Sequence, residues 1–223
     1  VLENTTGGLV LPPAYIAEVA QLARSRGLAM HLDGARMFNA ATANAARNGT
    51  DVYDEARALC SHFDSASLCL SKGLGAPVGS LVLGSRDFIR QARRTRKILG
   101  GGMRQAGVLA AAGHYALQHH VRRLAEDHAR LDRLAQGLAE ANRSHPALQG
   151  KITVLPWQTN ILFTDLHAEV APAFTAWLAQ HGVRVTSSLY GGATRLRWVT
   201  HLDVSEADVT AALDCVARFT LPG

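Results

Sequence analysis

Residues 65–79 read Ser-Ala-Ser-Leu-Cys-Leu-Ser-Lys-Gly-Leu-Gly-Ala-Pro-Val-Gly. The first six residues of this stretch are typical of a strand, and a lysine, Lys72, follows where this strand ends. An earlier apolar run, residues 28–32, predicts another strand, and Asp33 follows its end. A helical stretch around residues 52–59 lies between them, so we expect two parallel strands joined by a helical crossover.

The rest of the chain alternates short apolar runs with helical stretches, which is typical of an α/β protein. A further strand is predicted at residues 79–84, followed by helices at 87–98 and from 104 into the 140s. Beyond these helices the pattern predicts a smaller unit. We therefore expect most of a large domain with a parallel or mixed sheet over residues 1–135, and a small α/β domain over residues 136–223.

Composition excludes several classes of protein. The 223 residues are 48% hydrophobic and 18% charged, which excludes a disordered chain, a coiled coil and a collagen-like fibre. No apolar run approaches the ~20 residues that a membrane-spanning helix needs. The three cysteines form no Cys-x-x-Cys pair, so we expect neither a disulfide framework nor a zinc site but a reducing, cytoplasmic setting. The absence of an initiator Met indicates part of a longer chain.

The net charge of +5 is concentrated in one predicted helix. A basic helix of this kind faces solvent, holds a phosphate or another subunit, or binds nucleic acid. Nucleic acid is the least favoured of these partners, because no aromatic side chains are interleaved to stack on bases. Metal binding is not expected, because the histidines lack the His-Glu-x-x-His spacing. The cations of this helix are Arg86, Arg90, Arg93, Arg94, Arg96 and Lys97, opposed by Asp87.

Asp33 and Lys72 carry the most specific chemical signal. Ligands of open parallel sheets gather beyond the carboxyl ends of the strands, where both residues are expected. The glycines around Lys72 match neither the Walker pattern nor the dinucleotide fingerprint, but they allow a ligand to approach the backbone closely. A lysine amine in such a crowded loop suits a Schiff-base nucleophile. A carboxylate facing an amine is the arrangement that pyridoxal 5'-phosphate requires.

Five motifs support this interpretation, and they occur in order over essentially the whole chain. Together they resemble the low-specificity L-threonine aldolase family. The resemblance implies an aspartate-aminotransferase-like fold (fold type I of the pyridoxal phosphate enzymes) and a homodimer or homotetramer. The motifs are Leu2–Thr5 with Gly7–Gly8, His31–Arg36, Leu70–Ser80, Lys97–Gln105 and Arg197–His201.

The activity that the resemblance implies is retro-aldol cleavage. The substrates would be L-threonine, L-allo-threonine or phenylserine-like β-hydroxy-α-amino acids, and the products glycine and an aldehyde. Another pyridoxal phosphate lyase or a racemase of the same superfamily is an alternative, since both use the same electron sink. A non-catalytic fragment and a nucleic-acid-binding domain are the remaining alternatives.

The resemblance also implies roles for single residues. Lys72 would hold the cofactor as an imine, and Asp33 would pair with its ring nitrogen. Arg36 and Arg197 would clamp the substrate carboxylate, as planar guanidinium groups do. Arg195 is the alternative to Arg197, since it lies on the same side of the predicted strand. The other cofactor-binding residues implied are Arg36, Ser71, Lys97 and Arg104, the last two near the cofactor phosphate.

The chain departs from the family pattern at its beginning. Family members carry a long segment ahead of the motif at Leu2–Thr5, with the loop that holds the phosphate and the histidine that stacks on the pyridine ring. Neither has a counterpart in the 223 residues. We therefore expect this chain to be the C-terminal part of a longer aldolase, with weak cofactor binding by itself.

Overall fold

Two units, each with its own core, make up the chain in the computed structural model, which describes residues 1–187 and 192–221. Unit 1 comprises Val1–Thr6 and Val10–Ala125, and unit 2 comprises Gly7–Leu9 and the residues from Glu126 onward. Within the described ranges, no helix combines the length and apolar character needed to cross a bilayer.

The elements follow one another in the alternating order that the sequence predicts. The first part of the chain contains β1 (Leu2–Glu3), β2 (Thr5–Thr6), β3 (Leu9–Val10), α1 (Pro13–Ser25), β4 (His31–Gly34), α2 (Met37–Asn48), α3 (Val52–Cys60), β5 (Ser65–Cys69), β6 (Ser80–Gly84), α4 (Arg86–Ile98) and α5 (Gly107–His119). The second part contains α6 (Leu124–Ser144), β7 (Ile152–Val154), β8 (Ile161–Leu166), α7 (Ala171–Gln180), β9 (Thr186–Ser187), β10 (Arg195–Val199) and α8 (Glu206–Ala217).

Unit 1 is organised around a four-stranded mixed sheet in the order β1-β4-β5-β6. The first three strands are parallel, and β6 is antiparallel to β5. One sheet face buries Leu32, Ala66 and Leu68 in a core shared with α2 and α3. The opposite face carries half-buried polar side chains, among which His31 Nδ1 lies 2.8 Å from Ser65 Oγ. Because successive residues of a strand alternate between faces, the hydrophobic pattern determines which side the helices cover.

The start of β4 differs from the prediction. The sequence predicts a strand over residues 28–32, but β4 begins at His31 and includes Asp33. Leu28 is apolar but 63% exposed, and it lies outside the strand. The predicted strand at residues 65–70 agrees closely with β5, and Lys72 comes three residues after its end.

The helix predicted from residue 104 into the 140s is also wrong as a single element. It is two helices, α5 and α6, separated by residues 120–123. The apolar spacing continues through the break, since Val121 and Leu124 are both buried in the core of unit 1. Periodicity alone therefore could not show that α5 ends at His119.

Unit 2 contains a four-stranded antiparallel sheet in the order β7-β8-β10-β9. Leu196 and Trp198 of β10 are buried with Phe174 of α7 in the core of this unit. The turn at Gly7–Leu9 belongs to the same unit: Thr159 Oγ1 donates a 2.7 Å hydrogen bond to the Gly8 carbonyl. A Cβ on Gly8 would lie 2.5 Å from the carbonyl oxygen of Ile161, so only glycine fits there.

Candidate active site

Asp33 lies near the carboxyl end of β4, directly opposite Ser67 of β5. Its Oδ1 accepts a 3.1 Å hydrogen bond from the backbone N–H of Ala35, which orients the half-buried carboxylate. The next residue, Gly34, allows the two strands to approach closely, because a Cβ there would lie 2.5 Å from the Ser67 carbonyl oxygen. The carboxylate is therefore held at the edge of the sheet where β5 also ends.

Lys72 lies in the loop that follows β5, and the backbone of this loop is closed by hydrogen bonds. The Leu70 N–H donates to the Gly79 carbonyl at 2.9 Å, and the Ala76 N–H donates to the Leu70 carbonyl at 3.0 Å. The Lys72 carbonyl accepts from the Gly75 N–H at 2.8 Å, and the chain continues from Gly75 with a φ of 70°, which favours glycine. The Lys72 side chain is exposed, so a constrained backbone presents a free amine.

The Lys72 loop packs against the helix that follows Asp33. A Cβ on Gly73 would lie 2.8 Å from Leu124 Cδ2 and 3.4 Å from Asn39 Oδ1, an atom of α2. Since β4 and β5 are adjacent parallel strands, about 4.8 Å apart, both loops emerge at one sheet edge. The structure thus brings the Asp33 and Lys72 segments together within unit 1, as the spacing predicts.

Ser71 and Cys69 flank Lys72 on the side of β5. The Cys69 thiol lies 3.5 Å from Ser71 Oγ. Partial burial of Cys69 raises its pKa, but hydrogen bonds from Ser71 and the positive charge of Lys72 outweigh burial, and the pKa of the thiol is lowered overall. The thiolate form of Cys69 is therefore stabilised beside Lys72.

Arg36 stands three residues after Asp33, at the N-cap position of α2, and its side chain is half-buried. This position keeps it near the same edge of the sheet as Asp33. Of the residues named from the sequence, Asp33, Arg36, Ser71 and Lys72 therefore lie on the two segments that leave β4 and β5.

Lys97 and Arg104 flank the glycine run between α4 and α5. The Lys97 side chain crosses this run: a Cβ on Gly102 would lie 2.9 Å from Lys97 Nζ. Arg104 is exposed, and the following Gln105 has a φ of 53°, which is rare for a residue other than glycine. In the part of the chain that the structure describes, no hydrogen bond or ion pair joins Lys97 or Arg104 to Asp33 or Lys72.

Arg197 and Arg195 both lie on β10 of unit 2, and they differ in their partners. Arg195 forms an ion pair with Asp165 of β8, with Nε 2.6 Å from Oδ1. Arg197 is half-buried, and its guanidinium forms no hydrogen bond or ion pair within residues 1–187 and 192–221. A free, half-buried guanidinium is suited to bind a carboxylate of a ligand.

No group of three potential metal ligands occurs among the described residues. The sequence matches the family described as beta-eliminating lyase over residues 1–160. This range includes Asp33, Lys72 and the glycine run. The chain belongs to the beta-eliminating lyase family.

Within this lyase family, the chain is similar to curated aldolases. It is 44% identical over 204 residues to the low specificity L-threonine aldolase of Escherichia coli O157:H7, covering 92% of this chain and 55% of that protein. It is 41% identical over 222 residues to the probable low-specificity L-threonine aldolase 2 of Arabidopsis thaliana, covering 97% of this chain and 58% of that protein. The chain thus spans somewhat more than half the length of these relatives.

Solved structures show that the fold of this chain is shared with a threonine aldolase and an aminotransferase. The threonine aldolase of Leishmania major matches with a TM-score of 0.74 at 18% identity, over 97% of this chain and 59% of that chain. The N-acetylornithine aminotransferase of Stenotrophomonas maltophilia K279a matches with a TM-score of 0.63 at 18% identity, over 97% of this chain and 54% of that chain. The fold expected from the motifs is confirmed.

Proposed function

We propose that this lyase chain forms part of a pyridoxal 5'-phosphate enzyme that cleaves L-threonine, L-allo-threonine or phenylserine-like substrates to glycine and an aldehyde. The observation that carries the proposal is the meeting of the Asp33 and Lys72 segments at one sheet edge. The 44% identity to an L-threonine aldolase supports this reaction class over a general ligand-binding role.

The residues present fit the cofactor. Lys72 offers an exposed amine on a loop whose backbone is hydrogen-bonded on both sides, and Asp33 offers an oriented carboxylate at the same edge. When bound, pyridoxal phosphate supplies an acceptor for the electrons released at the substrate Cα. Lys72 would hold the cofactor covalently through Nζ, and Asp33 would retain the proton on the pyridine nitrogen. Ser71 and Arg36 would line the same site.

Arg36 and Arg197 are each proposed as a ligand of the substrate carboxylate. A guanidinium group that binds the carboxylate would fix the rotation about the bond to Cα, which decides which bond of the substrate breaks. For an aldol cleavage this is the Cα–Cβ bond: the β-hydroxyl proton leaves, the aldehyde departs, and a proton is returned to Cα to give glycine. The ion pair of Arg195 with Asp165 favours Arg197 as the carboxylate ligand.

Lys97 and Arg104 would bind the cofactor phosphate at a contact between copies of the chain. A homodimer or homotetramer is supported by a patch of exposed apolar side chains around α4 and α5, where Leu99 is 80% exposed and Val108 is 78% exposed. Apolar patches of this kind on a surface mark interfaces between proteins. The other exposed apolar residues of this patch are Phe88, Ile98, Met103 and Tyr115.

Three expectations from the sequence remain proposals. The family's domains would divide between residues 135 and 136, and the protein would work in the cytoplasm on a small-molecule substrate. Another pyridoxal phosphate lyase or racemase is the second candidate. The match to the beta-eliminating lyase family over residues 1–160 favours it.

Covalent trapping tests the proposal. The chain contains three lysines, Lys72, Lys97 and Lys151. Borohydride reduction in the presence of pyridoxal phosphate should modify Lys72, and mass spectrometry of peptides identifies the site. Lys72→Ala in the longest natural form of the protein should abolish both the adduct and aldehyde release, while Lys151→Ala should preserve both. Normal aldehyde release from the Lys72 variant would refute the proposal. Activity on alanine or an aromatic amino acid instead of threonine and phenylserine would favour the second candidate.

A further inference from the structure

His120 contacts the Lys72 loop, although no motif in the sequence points to it. It is the C-cap residue of α5, and its Nδ1 lies 2.6 Å from the carbonyl oxygen of Leu74, two residues beyond Lys72. A carbonyl oxygen only accepts hydrogen bonds, so Nδ1 carries the hydrogen and donates it. His120 is therefore the donor and the Leu74 carbonyl the acceptor of this hydrogen bond.

The carbonyl that His120 binds belongs to the turn that presents Lys72. This turn runs from Lys72 to Gly75, and its closing hydrogen bond joins the Gly75 N–H to the Lys72 carbonyl. Leu74 is 3% exposed, so its carbonyl lies where water reaches poorly and a missing donor would be costly. On the other side of the turn, Gly73 packs closely against Leu124, whose Cδ2 would lie 2.8 Å from a Cβ at this position. The backbone on both sides of Lys72 is thus constrained while its side chain is free.

We propose that His120 is a positioning residue for Lys72: its hydrogen bond to Leu74 keeps the turn in the conformation that directs the amine toward the Asp33 edge. The inference rests on the proposed function, because the amine of Lys72 must reach a bound cofactor. The bond between Lys72 Nζ and the cofactor would form faster when the turn holds the amine in place. A mobile turn would slow this reaction.

The chain offers a matched control for this histidine. His119 precedes His120 on the same helix and is exposed, with its ring 4.3 Å from that of Tyr115. His120→Phe removes the donor and keeps a planar ring, His120→Asn keeps an N–H donor, and His119→Phe makes the same change one residue away.

The first measurement needs no cofactor. Hydrogen exchange at the amides of Gly75 and Ala76, which donate within the Lys72 loop, should be about tenfold faster in His120→Phe, because one hydrogen bond of ordinary strength is lost. The exchange of β5 amides should be unchanged, and so should every amide in His119→Phe. His120→Asn should recover most of the protection. Unchanged exchange at Gly75 and Ala76 in His120→Phe would overturn the inference.

The second measurement connects the turn to the amine. The rate at which pyridoxal phosphate forms the borohydride-trapped adduct on Lys72 should fall about tenfold in His120→Phe, stay normal in His119→Phe and recover in His120→Asn. A loosened turn with an unchanged rate would show that His120 is only structural and would overturn the positioning role. This rate is measured on the longest natural form of the protein, and an unmodified Lys72 in its wild type would instead refute the proposed function itself.

Discussion

Arg195 and Asp165 face each other across β10 and β8 and form a two-pronged ion pair, with Nε–Oδ1 and Nη2–Oδ2 both at 2.6 Å. The hydrogen bond from Arg195 lowers the pKa of the Asp165 carboxyl, so the pair is charged at neutral pH. Arg195 is therefore engaged within unit 2. Its neighbour Arg197 has the same chemistry without a partner among the described residues.

This difference predicts distinct effects for the two arginines. Arg197→Ala should raise the KM for the amino-acid substrate roughly 10- to 100-fold, since hydrogen bonds to a charged group contribute about 1.5–3 kcal/mol. Arg195→Ala should leave KM within about twofold and lower the free energy of unfolding by less than about 1 kcal/mol, because the pair is partly exposed to solvent. Steady-state kinetics on the longest natural form of the protein measure both. A larger KM effect in Arg195→Ala would reverse the assignment.

A side chain at position 34 should lower the stability of unit 1. In Gly34→Ala the new Cβ would lie 2.5 Å from the Ser67 carbonyl oxygen, so β4 and β5 must separate, and we expect a loss of about 1–3 kcal/mol in the free energy of unfolding. Gly107→Ala is the control, because that position has open space and begins α5, where alanine is favoured by up to about 1 kcal/mol. Urea unfolding compares them, and equal stabilities of the two variants would contradict the prediction.

His128 should make the protein less stable in mild acid. Burial disfavours the charged imidazolium and lowers the pKa of His128 from 6.5 to about 4. Between these two pKa values, His128 is protonated in the unfolded chain but not in the folded chain. The free energy of unfolding therefore decreases as the pH falls through this range. Between about pH 7 and about pH 5 the loss should be roughly 2 kcal/mol.

The control for this pH dependence is His128→Leu, which should remove most of the loss, whereas a substitution of the exposed His114 should leave it unchanged. Urea unfolding of the three proteins at both pH values gives the comparison. An equally steep pH dependence in His128→Leu would show that another group is responsible.

Cys69 should be the first of the three cysteines to react with iodoacetamide. The net effect of its surroundings lowers the thiol pKa, whereas burial raises the pKa of Cys60 and of Cys215. The thiolate is the nucleophile, so the order of alkylation follows these directions. Time-resolved peptide mass spectrometry measures it. Pyridoxal phosphate bound at Lys72 should slow the reaction of Cys69, and faster labelling of Cys60 would contradict the expected order.

The apolar patch around α4 and α5 should hold copies of the chain together. Leu99→Asp should shift the protein toward monomer, because a charge in an apolar interface loses its hydration without gaining a partner. Leu22→Asp is the matched control, since Leu22 is also exposed but lies on α1. Light scattering over a dilution series reports the mass. An unchanged mass for Leu99→Asp would place the subunit contact elsewhere.

The central part of the candidate site could be predicted from the sequence. The strand of residues 65–70 and the loop of Lys72 agree with the structure, because a short apolar run bounded by glycines is a strong local signal. The position of Asp33 at the end of a parallel neighbour followed from the spacing. The start of β4 did not, since Leu28, at the beginning of the predicted strand, is 63% exposed.

The features of the site that the sequence did not predict depend on contacts between residues far apart in the chain. The bond from His120 to Leu74 joins residues 46 positions apart, and the pair of Arg195 with Asp165 joins residues 30 positions apart. Neither partner carries a local pattern that identifies the other, because such contacts depend on how helices and strands pack. The distinction between Arg195 and Arg197 therefore became visible only in the three-dimensional structure.

The turn at Gly7–Leu9 has a consequence for limited proteolysis. The backbone passes between the two units after Thr6, after Leu9 and after Ala125, so the units are discontinuous in sequence. A protease that cuts only after Ala125 would leave three residues of unit 2 on the N-terminal fragment. The two fragments would then co-purify through Gly8 and its neighbours instead of separating as independent domains.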